Sequence, residues 1–204
     1  MPRQSAVSLP LIEPIVPILY PLPFDGPEWL FEPKYDGFRG LLYLSGRECR
    51  FRSKRGNQLR RFDQLCYWVR EELGPRDVIL DGEVVALDEQ ARQDFQLLMA
   101  GKGNLHYAVF DVLWLKGKDL RECSLSRRKQ ILSRLVKKTS TVLSPVFGVR
   151  RRGRGLFAAV ERLDLEGIVA KRLADPYTPD TVWRKIRNGA YTQMEGRGDL
   201  FHPR

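Results

Sequence analysis

Ionisable residues break four otherwise apolar runs of this 204-residue chain. In DVILDGEVVAL they are Asp81 and Glu83, in HYAVFDVLWL Asp111, in LEGIVAKR Glu166 and Lys171, and in VWRKIR Arg184, Lys185 and Arg187. Runs this apolar read as buried strands, and a buried carboxylate without a partner is costly, so each needs a counter-charge or a ligand. Alternation along VWRKIR puts Arg184 and Ile186 on one face and Trp183, Lys185 and Arg187 on the other, so two cations share a side. Convergence of all these groups on one cleft is the simplest arrangement.

Around these runs the chain reads as α+β, with antiparallel sheets flanked by helices. Prolines at positions 2, 10, 14, 17, 21 and 23 exclude helix from residues 1–23 and imply an extended arm lying on the core. FRGLLYL and ECRFRS are separated by Ser45 and Gly46, a hairpin signature, and Gly56-Asn57 closes the second strand. Phe62, Leu65, Cys66, Val69 and Leu73 fall at helical spacing, and that helix stops at Gly74-Pro75. A second helix is expected from about Ser126 to Lys137, with Ile131, Leu132, Leu135 and Val136 inward and its arginines and lysines outward. A shorter helix precedes Glu166, and EGIVAKR and VWRKIR form the final strands. RRGRG at 151–155 reads as a solvated or phosphate-contacting loop in preference to a targeting signal.

Composition narrows the partners. Thirty-five Lys and Arg against 25 Asp and Glu give a formal charge of +10, which suits a polyanion: nucleic acid first, an acidic membrane surface second. No long uninterrupted apolar run is present, and the early prolines do not suit a secretory leader, so neither a membrane span nor export is expected. Cys49, Cys66 and Cys123 lack C-x-x-C spacing, which argues against a disulfide framework or a zinc site and for a reducing cytoplasm. His106 and His202 likewise offer no metal-ligand spacing.

The hexapeptide EPKYDG sets Lys34 between Glu32 and Asp36 and follows them with Gly37. A lysine attacks an electrophile only as the neutral amine, and at an ordinary pKa of ~10.4 it is neutral about four times in ten thousand at pH 7. Burial or nearby cations favour the neutral form, and Lys171 and Lys185 are the candidate cations; carboxylates alone would favour the charged form. Gly37 would permit a close approach that a Cβ forbids. Taken alone, K-x-D-G also fits a plain turn between strands.

Taken in order, KYDGFR, FRSKRG, LDGEVV, YAVFDVLW, EGIVAKR and WRKIR resemble the nucleotidyltransferase motifs I, Ia, III, IIIa, IV and V of ATP-dependent DNA ligases. The likeness runs over roughly residues 10 to 190 and is greatest to the adenylation domain of bacterial end-joining ligases. It implies an ATP-grasp-like ligase nucleotidyltransferase core over residues 24–190, between the arm at 1–23 and a short tail at 191–204. Lys34 would attack the α-phosphate of ATP, expel pyrophosphate and carry AMP before passing it to a DNA 5′-phosphate. Glu32 would accept a hydrogen bond from the adenine amino group, Phe110 would stack on the base, and Arg39 would touch the ribose or phosphate side. Glu83 would hold the ribose or help site a metal, and Glu166 would serve the divalent metal, Mg2+. Lys171 would belong to the nucleotide site, and Lys185 and Arg187 would meet the α-phosphate. The catalytic set implied is Lys34, Glu83, Glu166 and Lys185.

Three departures matter. SKRG places Lys54 where the family has arginine, with Arg55 beside it, and either could serve. Arg187 replaces a lysine, exchanging a point donor for a fork. Seventeen residues follow Arg187, too few for the family's OB domain with its five strands of about five residues each. An enzyme with only this core would call for a partner supplying OB-like or end-binding function on nicked or broken duplex DNA. Two alternatives fit the same residues: a catalytically impaired nucleotide- or DNA-binding module, and an RNA ligase-like enzyme.

Overall fold

The computed structural model describes residues 9–137 and 140–194. The first eight residues of the arm, His202 and the tail beyond Met194 lie outside the described residues. The elements run β1 (Ile18–Leu19), β2 (Gly26–Pro33), β3 (Phe38–Ser45), β4 (Glu48–Arg52), α1 (Asp63–Leu73), β5 (Val78–Leu87), α2 (Phe95–Met99), β6 (Asn104–Leu115) and β7 (Lys118–Asp119). They continue with α3 (Leu125–Leu135), β8 (Leu143–Pro145), β9 (Val149–Arg151), α4 (Gly153–Arg162), β10 (Gly167–Arg172) and β11 (Arg184–Arg187).

The strands form two mostly antiparallel sheets, as the α+β reading expects. One has the order β4-β3-β5-β6-β7 with β8 alongside β6, and the other β1-β11-β10-β2-β9. Alternation explains how the first sheet buries both faces. Leu42 and Leu44 of β3 join Phe62, Leu65 and Val69 on the helical side, while Leu41 and Tyr43 face Ile12, Ile15, Tyr177 and Trp183. The second sheet packs Trp29, Phe31, Ile168 and Ile186 against Leu156 and Val160 of α4. Helix α1 ends where Gly74 takes a φ of 70°, the left-handed conformation glycine tolerates best.

Residues 9–23 of the arm are extended and lie on the core. The Ile12 and Ile15 N–H groups donate to the Tyr43 and Tyr177 hydroxyls at 3.0 and 3.2 Å, and β1 pairs in parallel with β11. Burying two isoleucines contributes roughly 1.5–3 kcal/mol each. The hairpin of β3 and β4, the long strands β5 and β6, and both final strands stand where their patterns placed them.

Two local expectations fail. RRGRG is no loop: Arg151 closes β9, and Gly153 and Gly155 open α4. In α3, Arg128 and Lys129 turn inward, although the amphipathic reading put every arginine and lysine outside. Arg128 occupies a buried helical position in register with Leu125 and Leu132, and its guanidinium is held by Asp111. The cost of burying that charge is offset because the fork Nε to Oδ1 at 2.8 Å and Nη2 to Oδ2 at 3.1 Å satisfies both groups.

Candidate active site

Lys34 follows β2 in the turn to β3, and its backbone N–H donates to the Gly167 carbonyl at 2.9 Å. That bond fastens the turn to the start of β10, next to Glu166. Lys34 Nζ therefore donates to Glu166 Oε2, although 132 positions separate them. The lysine side chain is 26% exposed and that of Glu166 7%, so the amine is sheltered yet reachable. A Cβ on Gly37 would sit 2.1 Å from the Val84 carbonyl oxygen, so only glycine lets this turn close upon β5. Closure brings the Lys34 charge to bear on Glu83.

The cleft between the sheets, a cavity of about 200 Å3, is lined by Glu32, Lys34, Arg39, Lys54, Glu83, Phe110, Lys171 and Lys185. Val16 and Pro17 of the arm and Trp183 complete its walls. Glu166 joins through its pair with Lys34. Arg55 and Arg187 are exposed and outside the lining. Arg187 still acts on the site: burial, then Arg187 and Lys34, press Lys185 below the usual lysine range.

The buried carboxylates do not all converge on this cleft, as the sequence reading expected. Asp81 accepts from Arg39 Nε at 2.9 Å and Nη2 at 2.6 Å, and from the Tyr177 hydroxyl at 2.7 Å. Asp111 is taken by Arg128. Both stand behind the cleft wall. Glu83 differs, since it makes no ion pair among the described residues. Burial, reinforced by Glu166 and Asp81, pushes its carboxyl up to about 7 despite Lys34 and Arg39.

Glu32 is held from behind. Lys171 Nζ lies 2.6 Å from Oε2, and Lys129 of α3 pairs with Oε1. Burial raises the Glu32 carboxyl, but Lys129 and then Lys171 more than offset it and bring it below the usual value. Burial draws Lys171 down to about 8 against the pull of Glu32. Its Nζ is boxed by the rings of Trp183, 3.9 Å away, and Phe110, 4.3 Å away. Phe110 meets Trp183 edge to face at 5.9 Å, with the Arg39 guanidinium 5.1 Å from its centroid. Sequence reasoning missed Lys129 and Trp183 as site residues. The available signal for the first was a charged pair, Arg128-Lys129, at an inward position of the helical period.

Among the described residues no group of three or more His, Cys, Asp or Glu could hold a metal. Two acids, Glu83 and Glu166, stand near enough for the charge of Glu166 to act on Glu83, whose carboxyl is raised first by burial and then, against Lys34 and Arg39, by Glu166 and Asp81. Such a pair fits Mg2+, which keeps water and phosphate oxygens for most of its coordination and does not need a cage of protein ligands. No helix of the described residues is long and apolar enough to cross a membrane.

Comparison with known proteins identifies the fold and family. The chain is 32% identical over 182 residues to the multifunctional non-homologous end joining protein LigD of Pseudomonas aeruginosa, covering 85% of this chain and 22% of that protein. It is 30% identical over 200 residues to DNA ligase C1 of Mycolicibacterium smegmatis, covering 85% of this chain and 56% of the relative. It thus spans at most little more than half the length of these relatives. A solved structure of mycobacterial DNA ligase D complexed with ATP and MES superposes with a TM-score of 0.75 at 27% identity, over 86% of this chain and 60% of that one. The ligase domain of Mycobacterium tuberculosis LigD gives 0.74 at the same identity, over 85% and 58%. With residues 22–187 matching the family described as the ATP dependent DNA ligase domain, and the two-sheet cleft holding the expected lysine, the chain belongs to that family.

Proposed function

We propose that this chain takes up ATP in the cleft, transfers AMP to Lys34, and passes it to the 5′-phosphate of nicked or broken DNA for strand joining in repair. The observation that carries this reading is Lys34 Nζ against Glu166, within one cleft that also presents Lys54, Lys185 and Glu83. The Lys34 nitrogen would form a bond to the α-phosphorus as the bond to the bridging oxygen breaks and pyrophosphate leaves. Glu166 accepts a hydrogen bond from that nitrogen and would take the proton released. Lys54 and Lys185 would neutralise phosphate charge, Arg187 would add to the field, and Arg39, held by Asp81, would touch the ribose or phosphate side. Glu32 would accept from the adenine amino group and Phe110 would stack on the ring. Glu83 and Glu166 would hold Mg2+, which supplies charge neutralisation to a phosphoryl group. The core would span residues 24–190, act in the cytoplasm, and work with an end-binding or OB-like partner surface.

The test is incubation with Mg2+ and ATP labelled at the α-phosphate. Label that survives alkaline denaturation and is released by mild acid marks a phosphoramide. Lys34→Ala should abolish it while leaving the unfolding transition intact. Label on another lysine, or none where ATP binds, overturns the assignment.

A further inference from the structure

We infer that Lys129 is a positioning residue that sets which purine the cleft accepts, by holding Glu32 as an oriented carboxylate toward the C6 substituent of the base. The inference rests on the reading above that a purine nucleoside triphosphate is bound beside Lys34.

Lys129 does not line the cleft, so whatever it does to a ligand passes through Glu32. Its placement is fixed by its neighbour. Arg128, fully buried, is forked onto Asp111 of β6 and donates to the Asp175 carbonyl at 3.2 Å, which locks α3 at the height where Lys129 reaches β2. Glu32 is 2% exposed and carries a lysine on each oxygen. Apart from their ion pair, neither Glu32 Oε1 nor Lys129 Nζ has a hydrogen-bond partner among the described residues. A carboxylate offers about four lone-pair sites, so acceptor capacity remains for a ligand.

Base selection follows from the sign of that charge. An anionic acceptor attracts the amino group at C6 of adenine and repels the carbonyl at C6 of hypoxanthine or guanine. Two buried lysines keep Glu32 anionic, yet they are not equal. Lys171 is enclosed by Trp183 and Phe110 and is the cation that burial weakens, whereas Lys129 is the leading charge opposing the burial of Glu32. Without Lys129 only Lys171 opposes the burial of the Glu32 carboxyl, which moves it toward its protonated form, and a neutral carboxyl can donate to a carbonyl. Discrimination should then fall, or turn over.

ATP and ITP, which differ by amino and carbonyl at C6, are the probes. Labelling of Lys34 and equilibrium binding are measured for the unsubstituted protein, Lys129→Met, Lys129→Arg and Glu32→Gln. Lys129→Met should lower the preference for ATP over ITP about tenfold or more, while Lys129→Arg stays within about twofold of the unsubstituted protein. Glu32→Gln, which removes the charge without touching α3, should reproduce the loss and covers the case in which Lys129→Met fails to fold. An unchanged ratio in either variant, or equal weakening for both nucleotides, overturns the inference. Failure of the unsubstituted protein to take label sinks the adenylation reading instead, and the binding ratio still tests Lys129.

Discussion

The wall and the floor of the cleft contain the same residue types and use them in opposite ways. Behind the wall's inner surface, Asp111 and Arg128 are both fully buried and meet in a fork, and Asp81 is closed off by Arg39 and Tyr177. On the floor, Glu83 makes no ion pair among the described residues, and Lys34 shares Glu166 through one nitrogen while remaining 26% exposed. A carboxylate whose partners surround it can hold a fold in place. One left with an unmet charge beside a reachable amine is suited to a ligand.

Breaking the wall should have the largest effect. Arg128→Met leaves the Asp111 charge buried and unpaired, and urea unfolding should show a loss of about 3–5 kcal/mol. A loss under about 1 kcal/mol would mean that the fork does not fix the wall.

The floor should respond with the opposite sign. Folded Glu83 keeps its proton up to about 7, against 4.5 for the free group, so the folded state binds the extra proton between those values. Stability therefore falls as pH rises through that window. Glu83→Gln removes this loss. In metal-free buffer the variant should be the more stable protein at pH 8, by at most about 3 kcal/mol, with the advantage vanishing below pH 4.5. A variant less stable than the parent at pH 8 would place Glu83 with the wall.

Two neighbouring cations sharpen the boundary. Lys54 lines the cleft and Arg55 does not. Lys54→Met should weaken ATP binding about tenfold, roughly 1.4 kcal/mol, and Arg55→Met less than about twofold. Calorimetric titration distinguishes them, and equal effects would erase the distinction between lining and rim. The smallest change concerns Asp36, which accepts from the Tyr191 hydroxyl at 2.9 Å. Tyr191→Phe should cost about 0.5–1.5 kcal/mol of stability with labelling at Lys34 intact, as expected if Asp36 belongs to the framework.

Much of the scaffold was legible because its signals are local. Apolar runs gave β5 and β6, Ser45-Gly46 gave the hairpin, and the helical spacing from Phe62 to Leu73 ended at a glycine with positive φ. The close approach expected of Gly37 is present. Short elements were less legible: β8 and β9 have three residues each, too few to display a period, and α2 has five. RRGRG misled because its arginines suggested solvent, while its glycines allow α4 to start against the second sheet; a Cβ on Gly153 would lie 2.2 Å from the Phe24 carbonyl oxygen.

Residues close along the chain were enough to set the β3–β4 hairpin, the long strands β5 and β6, the two final strands, the order of the motifs and the lysine on which the proposed chemistry turns. Tertiary structure alone decided which buried charges face the cleft and which stand behind it. Its reason is distance along the chain: Asp111 finds Arg128 17 residues away, Asp81 finds Arg39 42 away, and Lys34 finds Glu166 132 away. A charge inside an apolar run announces that it needs a partner, but the partner is chosen by how two sheets and one helix pack.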